Sequence, residues 1–271
     1  MEQSAAANTG GRRMPALFVG HGSPVNALYD NRFSRDFAAL AALVPRPRAI
    51  LAVSAHWYIV GTQFTGDESP QTIHDFYGFP QALYDIEYPA PGDVGLARTA
   101  AGLVGADRSA IRQDWGLDHG TWSVLRWMFP KADIPVVQLS IDARLNVREH
   151  LVLAARLAPL REKGVLIMGS GNITHNLADA FRRMSSGDGS TPPWSTSFDA
   201  TVVECLQRRD TERLLALWPG TDEGRLAHPT PDHWLPLIYA YAVADASDSL
   251  QFPVEGFDIG LSMRSVLFGA S

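Results

Sequence analysis

One cysteine, Cys205, is all that this 271-residue chain holds. An intramolecular disulfide and a cysteine-rich zinc site are thereby excluded. Its surroundings, Phe198 to Gln207, read as a helix, so Cys205 is expected to be a buried structural thiol. No run of about 18 apolar residues occurs, so no membrane-spanning helix is expected. No block of Lys and Arg occurs either, and 23 basic against 29 acidic residues give a net charge of −6. That balance argues against a general nucleic-acid binder. Neither a Walker A sequence nor HExxH is present, and Gly169-Ser170-Gly171 fails as a dinucleotide fingerprint because position 174 is Thr. Gly20-His21-Gly22-Ser23 is not a GxSxG nucleophile elbow, and nothing nearby activates Ser23 as a hydrolase nucleophile. Internal repeats and low-complexity tracts are absent. Residues 1–13 are small and polar, with Arg12-Arg13 but no apolar segment behind them. They read as a flexible leader rather than a secretion signal, with Met14 as an alternative start and the cytoplasm as the expected location.

What is present is an ordinary globular mixture, 46% apolar and 19% charged. Residues 14–271 are long enough to bury one full core, so a single catalytic-size domain is expected. Short apolar runs stand at Ala16 to Val19, Ala49 to Val53, Ile134 to Leu139 and Val165 to Met168. Continuous runs of this kind suit strands buried on both faces. Apolar residues at helical spacing fill Phe33 to Val44, Val94 to Val104, Trp122 to Phe129, Val147 to Leu160 and Trp234 to Val243. Alternating strands and helices predict an α/β fold: a central sheet, mostly parallel or mixed, flanked by helices, with the active site at the strand C-terminal ends. Leu250 to Val254 and Ser262 to Phe268 read as a further strand pair at the sheet edge, and Ser185 to Pro193 as a loop able to serve as a lid.

The eight histidines carry the functional signal. His21, His56 and His175 each follow a predicted strand, amid Gly or other small residues. A single histidine in such a place is an ordinary loop residue; three from separate strands can converge on one point at the sheet edge, where ligands bind in this fold class. Imidazole is the commonest metal ligand near neutral pH. His228 and His233 lie five positions apart, roughly 500° of helix, with Pro229 and Pro231 between them, so at most one of the two joins the site. His233 opens the next helix and is preferred. His119, between Asp118 and Gly120 ahead of a helix, can point into the same cleft. His74 heads an aromatic stretch, Phe76, Tyr77, Phe79, Tyr84 and Tyr88, that can line a pocket for a planar substrate. His150 is expected to face solvent.

Seven ordered segments resemble one family: MPALFVGHGSP (14–24), AILAVSAHW (49–57), TIHDFYGFPQALYDIEYPAPG (72–92), GLDHGTW (116–122), IPVVQLSID (134–142), GSGNITHN (169–176) and HPTPDHWLPL (228–237). The chain looks like a class III extradiol ring-cleavage dioxygenase of the DOPA 4,5-dioxygenase branch, related to the catalytic subunit of protocatechuate 4,5-dioxygenase. The resemblance implies that His21, His56 and His233 are metal ligands. It implies that His175 is the acid–base histidine, able to coordinate when zinc is bound without substrate. It implies that His119 contacts the substrate oxygens, with His74 as a further candidate substrate contact. The wider family uses two His and one Glu; here His233 stands in the carboxylate's place, which leaves the metal's charge uncompensated and favours a catecholate. Fe(II) is the metal expected for dioxygenase chemistry, and Zn(II) also suits a site of three imidazoles. The implied partners are a small aromatic diol and O2, with no nucleic acid and no membrane, in a monomer or small homo-oligomer. Two rival readings use the same residues. A zinc-dependent hydrolase predicts activity without oxygen uptake, and a non-enzymatic binding protein predicts no turnover.

Overall fold

The computed structural model describes residues 13–269. The expected leader, apart from Arg13, lies outside the described residues. An eight-stranded mixed sheet forms the centre, in the order β4-β3-β5-β2-β6-β1-β10-β7. Its strands are β1 (Ala16–Gly20), β2 (Ala49–Ile59), β3 (Thr62–Thr65), β4 (Ser109–Arg112), β5 (Val136–Asp142), β6 (Val165–Gly171), β7 (Ser249–Val254) and β10 (Ser265–Gly269). A small hairpin, β8 (Phe257–Asp258) and β9 (Leu261–Ser262), stands apart. The helices are α1 (Arg32–Leu43), α2 (Gln81–Tyr84), α3 (Val94–Val104), α4 (His119–Met128), α5 (Val147–Ala155), α6 (Leu177–Ser186), α7 (Pro193–Arg208), α8 (Thr211–Leu217), α9 (Asp222–Ala227) and α10 (Leu235–Ala242). Among the described residues no helix is long and apolar enough to cross a membrane.

The continuous apolar runs have a direct physical cause. Alternate residues of one strand serve two separate cores. Ala16 and Phe18, Ala49, Leu51 and Val53, and Val165 and Ile167 face a core completed by Leu96, Ala154, Phe198, Leu214 and Leu237 from α3, α5, α7, α8 and α10. Leu17 and Val19, Ile50 and Ala52, and Leu166 and Met168 face the opposite core, completed by Phe37 and Leu40 of α1 and by Val124, Leu125 and Met128 of α4. Cys205 is buried in the first of these.

Strands β5, β2, β6 and β1 run parallel to one another. Their carboxyl ends therefore share one edge of the sheet. The C-terminal strands pair antiparallel, with β7 outermost, as the edge pair was expected to do.

The sequence reading needs three corrections. The helix expected over Val147 to Leu160 stops at Ala155, and a 3-10 turn follows over Ala158–Lys163, because Pro159 has no N–H to continue the ladder. The loop expected over Ser185 to Pro193 shrinks to residues 187–192, since α6 runs to Ser186 and α7 opens at Pro193. His150 does not face solvent: it is fully buried, with Nδ1 2.9 Å from the Tyr239 hydroxyl. The cause is the phase of α5, whose buried residues are Val147, His150 and Ala154, the spacing of one helical face.

Candidate metal centre

The site is built where the parallel strands end. His21 comes directly after β1. His56 lies within β2, not after it, where the register against β5 shifts between Val53 and Tyr58. That irregularity re-aims the strand and turns His56 toward the cleft, a common use of a bulge beside a functional site. His119 is the first residue of α4, whose N-cap Asp118 accepts from the Thr121 N–H. His175 follows β6, and His233 sits in the turn ahead of α10. Close backbone packing brings these segments together. The Asn172 N–H donates to the His233 carbonyl at 3.1 Å, and a Cβ on Gly171 would collide with that same carbonyl.

The rings gather. His21 lies 5.0 Å from His56, 5.6 Å from His119 and 5.3 Å from His233, centroid to centroid. His56 and His119 are 3.8 Å apart, and His175 stacks on His233 at 3.4 Å with a 4° tilt. Ligand-capable atoms fall into two tight groups, His21–His56–His119 and His175–Asp232–His233.

The hydrogen bonds set the tautomers. The Ser170 hydroxyl donates to the Gly120 carbonyl at 2.5 Å, so toward His21 Nδ1, 2.9 Å away, it can only accept. His21 therefore carries its proton on Nδ1. His119 Nδ1 donates to Asp75 Oδ1 at 2.9 Å, and His56 Nδ1 lies 3.3 Å from Asp75 Oδ2. His233 Nδ1 donates to Asp232 at 2.5 Å. In His21, His119 and His233 the proton points outward and the Nε2 lone pair is bare, while His56 turns Nδ1 toward the Asp75 carboxylate. His21 Nε2 and His56 Nε2 lie 3.1 Å apart, and His233 Nε2 is buried with no hydrogen-bond partner.

A divalent cation among these nitrogens would accept their lone pairs. Metal–nitrogen bonds of about 2.0–2.1 Å hold two ligands roughly 3.0–3.4 Å apart, depending on the angle between them. The His21–His56 separation falls inside that range, so this pair fits a divalent metal, with His119 and His233 beside it as candidate third ligands. Outward Nδ1–H groups held by carboxylate or hydroxyl are also the usual support of metal-ligating histidines. Burial, reinforced by the neighbouring imidazoles, holds His21, His56 and His233 well below the ordinary imidazole pKa. Their lone pairs are thus free at neutral pH. Burial also lowers His175, to about 4. Burial pushes Asp75 up, but its bond to His119 outweighs this and brings it down to about 2, so it is ionised.

A buried polar layer lies beneath the rings. Asp118 accepts from the Ser54 hydroxyl at 2.6 Å and from the Gln138 amide, while Thr121 donates to Gln138 Oε1 at 2.9 Å. Burial, then the charge of Asp75, raises Asp118 to about 7.

The remaining sequence candidates lie outside the cluster. His74 has Phe76, Tyr84 and Trp122 as ring neighbours, and its Nε2 is 3.0 Å from the Ile86 carbonyl. Of the aromatic stretch, only Phe76 reaches a clustered histidine, His119, at 5.5 Å. Tyr77 is 92% exposed, and Tyr88 is buried with its hydroxyl on the Phe129 carbonyl. His228 Nε2 is 2.8 Å from the Ile173 carbonyl, which spends that nitrogen on the fold. Sequence reasoning missed Asp75, Asp232, Ser170 and Ser54. Asp232 had a signal, its adjacency to His233; Asp75 and Ser170 had none.

Residues 17–258 match the family described as the catalytic LigB subunit of aromatic ring-opening dioxygenase, and the chain belongs to that family. Within it, the chain is 46% identical over 261 residues to the 4,5-DOPA dioxygenase extradiol of Escherichia coli strain K12, covering 95% of each chain. It is 35% identical to the protein of that name from Beta vulgaris, over 90% of this chain and 92% of that one. The crystal structure of an uncharacterized protein from Escherichia coli K12 superposes with a TM-score of 0.82 at 40% identity, covering 95% of this chain and all of that one.

Proposed function

We propose that the chain is a cytoplasmic extradiol dioxygenase that opens the ring of a catechol, with 4,5-cleavage of L-DOPA the first candidate reaction. Membership of the ring-opening family and the activity for which the two relatives are named support this reading. The observation that carries it is the 3.1 Å approach of His21 Nε2 and His56 Nε2 within a buried cluster of histidines at the strand ends.

In this reading His21, His56 and His233 hold the metal, Fe(II) in the active enzyme, with Zn(II) a plausible occupant of the same donors. A metal held there would supply a common binding point for a diol and O2 and a route for electron density that offsets the spin barrier to their direct reaction. The chain's own residues do the rest. Neither ring nitrogen of His175 takes a hydrogen bond from the described residues, so this ring is free to take a proton from a substrate hydroxyl and later return it. His119, with Nδ1–H committed to Asp75, presents Nε2 as an acceptor that orients the substrate hydroxyl. Phe76 supplies an apolar edge beside it. His74 is not carried forward as a substrate contact.

The test is oxygen uptake by Fe(II)-reconstituted protein mixed with L-DOPA or protocatechuate, while watching for a yellow ring-opened product. Uptake with colour supports the reading and ranks the substrates. Activity with Zn(II) and no oxygen uptake would move the same residues to hydrolysis.

A further inference from the structure

The Asp75 carboxylate lies against two of the gathered histidines. Its Oδ1 accepts from His119 Nδ1 and from the His119 backbone N–H, both at 2.9 Å. Its Oδ2 faces His56 Nδ1 at 3.3 Å. The side chain is only 15% exposed, so water competes weakly for these contacts. The segment carrying it is pinned two residues before Asp75: Ile73 N–H donates to the Leu117 carbonyl at 2.7 Å, and Trp122 Nε1 donates to the Ile73 carbonyl at 2.8 Å.

We propose that Asp75 is a positioning residue that sets the tautomers of His56 and His119 together, so that one carboxylate keeps Nε2 of both rings bare toward the centre. The two halves of the carboxylate are not equivalent, and this makes the inference sharp. Oδ1 receives a backbone N–H, which can only donate. An amide in place of the carboxylate must therefore keep its oxygen on the His119 side. Its NH2 group then faces His56 Nδ1, where a proton stands in the native protein. Two donors cannot face each other, so His56 must accept at Nδ1 and carry its proton on Nε2. In Asp75→Asn the His56 lone pair is thus turned away from the centre, while His119 keeps its native tautomer. The change leaves size and shape almost untouched. The consequence for metal binding rests on the reading above that His56 is a ligand; the tautomer itself does not.

The experiment uses full-length protein labelled with 15N at histidine, stripped with a chelator and held at about pH 8, above the ordinary imidazole range. Long-range 1H–15N correlations report which ring nitrogen bears the proton. In the native protein His56 and His119 are expected to be protonated on Nδ1. In Asp75→Asn, His56 is expected to move to Nε2–H with His119 unchanged. In parallel, Zn(II) titration against a competing chelator is expected to show affinity about 10- to 100-fold weaker in the variant, the usual effect of losing such support. A native His56 protonated on Nε2 overturns the inference without any variant, so a variant that fails to fold does not protect it. A variant His56 still protonated on Nδ1 also overturns it. Native protein that binds no zinc would instead strike at the metal reading, and the tautomer result would still decide the role of Asp75.

Discussion

His21 Nε2 and His56 Nε2 stand 3.1 Å apart, with Ser170 holding the His21 proton on the far side of its ring and Asp75 facing Nδ1 of His56. A cation can take both nitrogens as ligands, and either ring alone is half a site. His21→Ala and His56→Ala are each expected to lose bound metal and activity together. His233→Ala should do the same, whereas His119→Ala should keep its metal. Metal content per chain by mass spectrometry checks this, and a metal-replete His233→Ala protein would move the third ligand to His119. Chelation should also lower the melting temperature of the native protein, since free metal at a hundred times its dissociation constant stabilises by about 2.7 kcal/mol.

His175 stacks face to face on His233 at 3.4 Å, and its ring takes no hydrogen bond among the described residues. His175→Ala is expected to retain most of its metal and to lose turnover by about 100- to 10,000-fold, the usual share of a general acid–base group. Metal analysis beside steady-state rates separates the roles. An emptied site in this variant would make His175 a ligand.

Gly120 lies in the first turn of α4, under the histidines. A Cβ there would sit 2.5 Å from Ser54 Oγ and 2.9 Å from His56 Cδ2. Gly120→Ala should therefore cost about 1–3 kcal/mol, as overpacking does. It should also weaken metal binding by displacing His56. Urea unfolding and a zinc titration report the two effects separately; an unchanged zinc affinity would show that the ring accommodates the methyl group.

His150 is buried far from the centre, and burial lowers its pKa from 6.5 to about 4. A histidine depressed in the folded state contributes full stability above its unfolded value. As pH falls below that value the unfolded chain takes up a proton that the native state refuses, and stability is lost until the folded value is reached. Between pH 7 and 5 this one group should remove about 2 kcal/mol. His150→Gln should flatten the pH dependence of the urea midpoint in that window by this amount, whatever its stability at pH 7. An unaltered slope would show that His150 titrates normally.

Much of the fold was legible because its causes are local. The runs at Ala16, Ala49, Ile134 and Val165 are continuous because each strand feeds two cores, and that requirement is written in consecutive letters. The strand pair at the C-terminus and the helix over Val94–Val104 were read correctly for the same reason. Short elements with little buried surface escaped, such as β4, whose residues are mostly exposed and carry no periodic pattern. His150 was misjudged because Arg148 and Glu149 beside it are polar, while the face it occupies is set by Val147 and Ala154.

The histidines themselves were visible in the sequence, since several of them stand at or near predicted strand ends amid small residues, and the ordered segments around them resemble one family. What only the folded chain decided is the state of each ring. Asp75 meets His119 across 44 positions, and Ser170 meets His21 across 149. No spacing rule spans such distances, because the meeting is made by strand order and by the bulge at His56. The sequence determined that imidazoles would stand at the edge of a buried sheet. The tertiary structure decided which nitrogen of each bears the proton, because a tautomer is chosen by whatever group the fold brings to its other side.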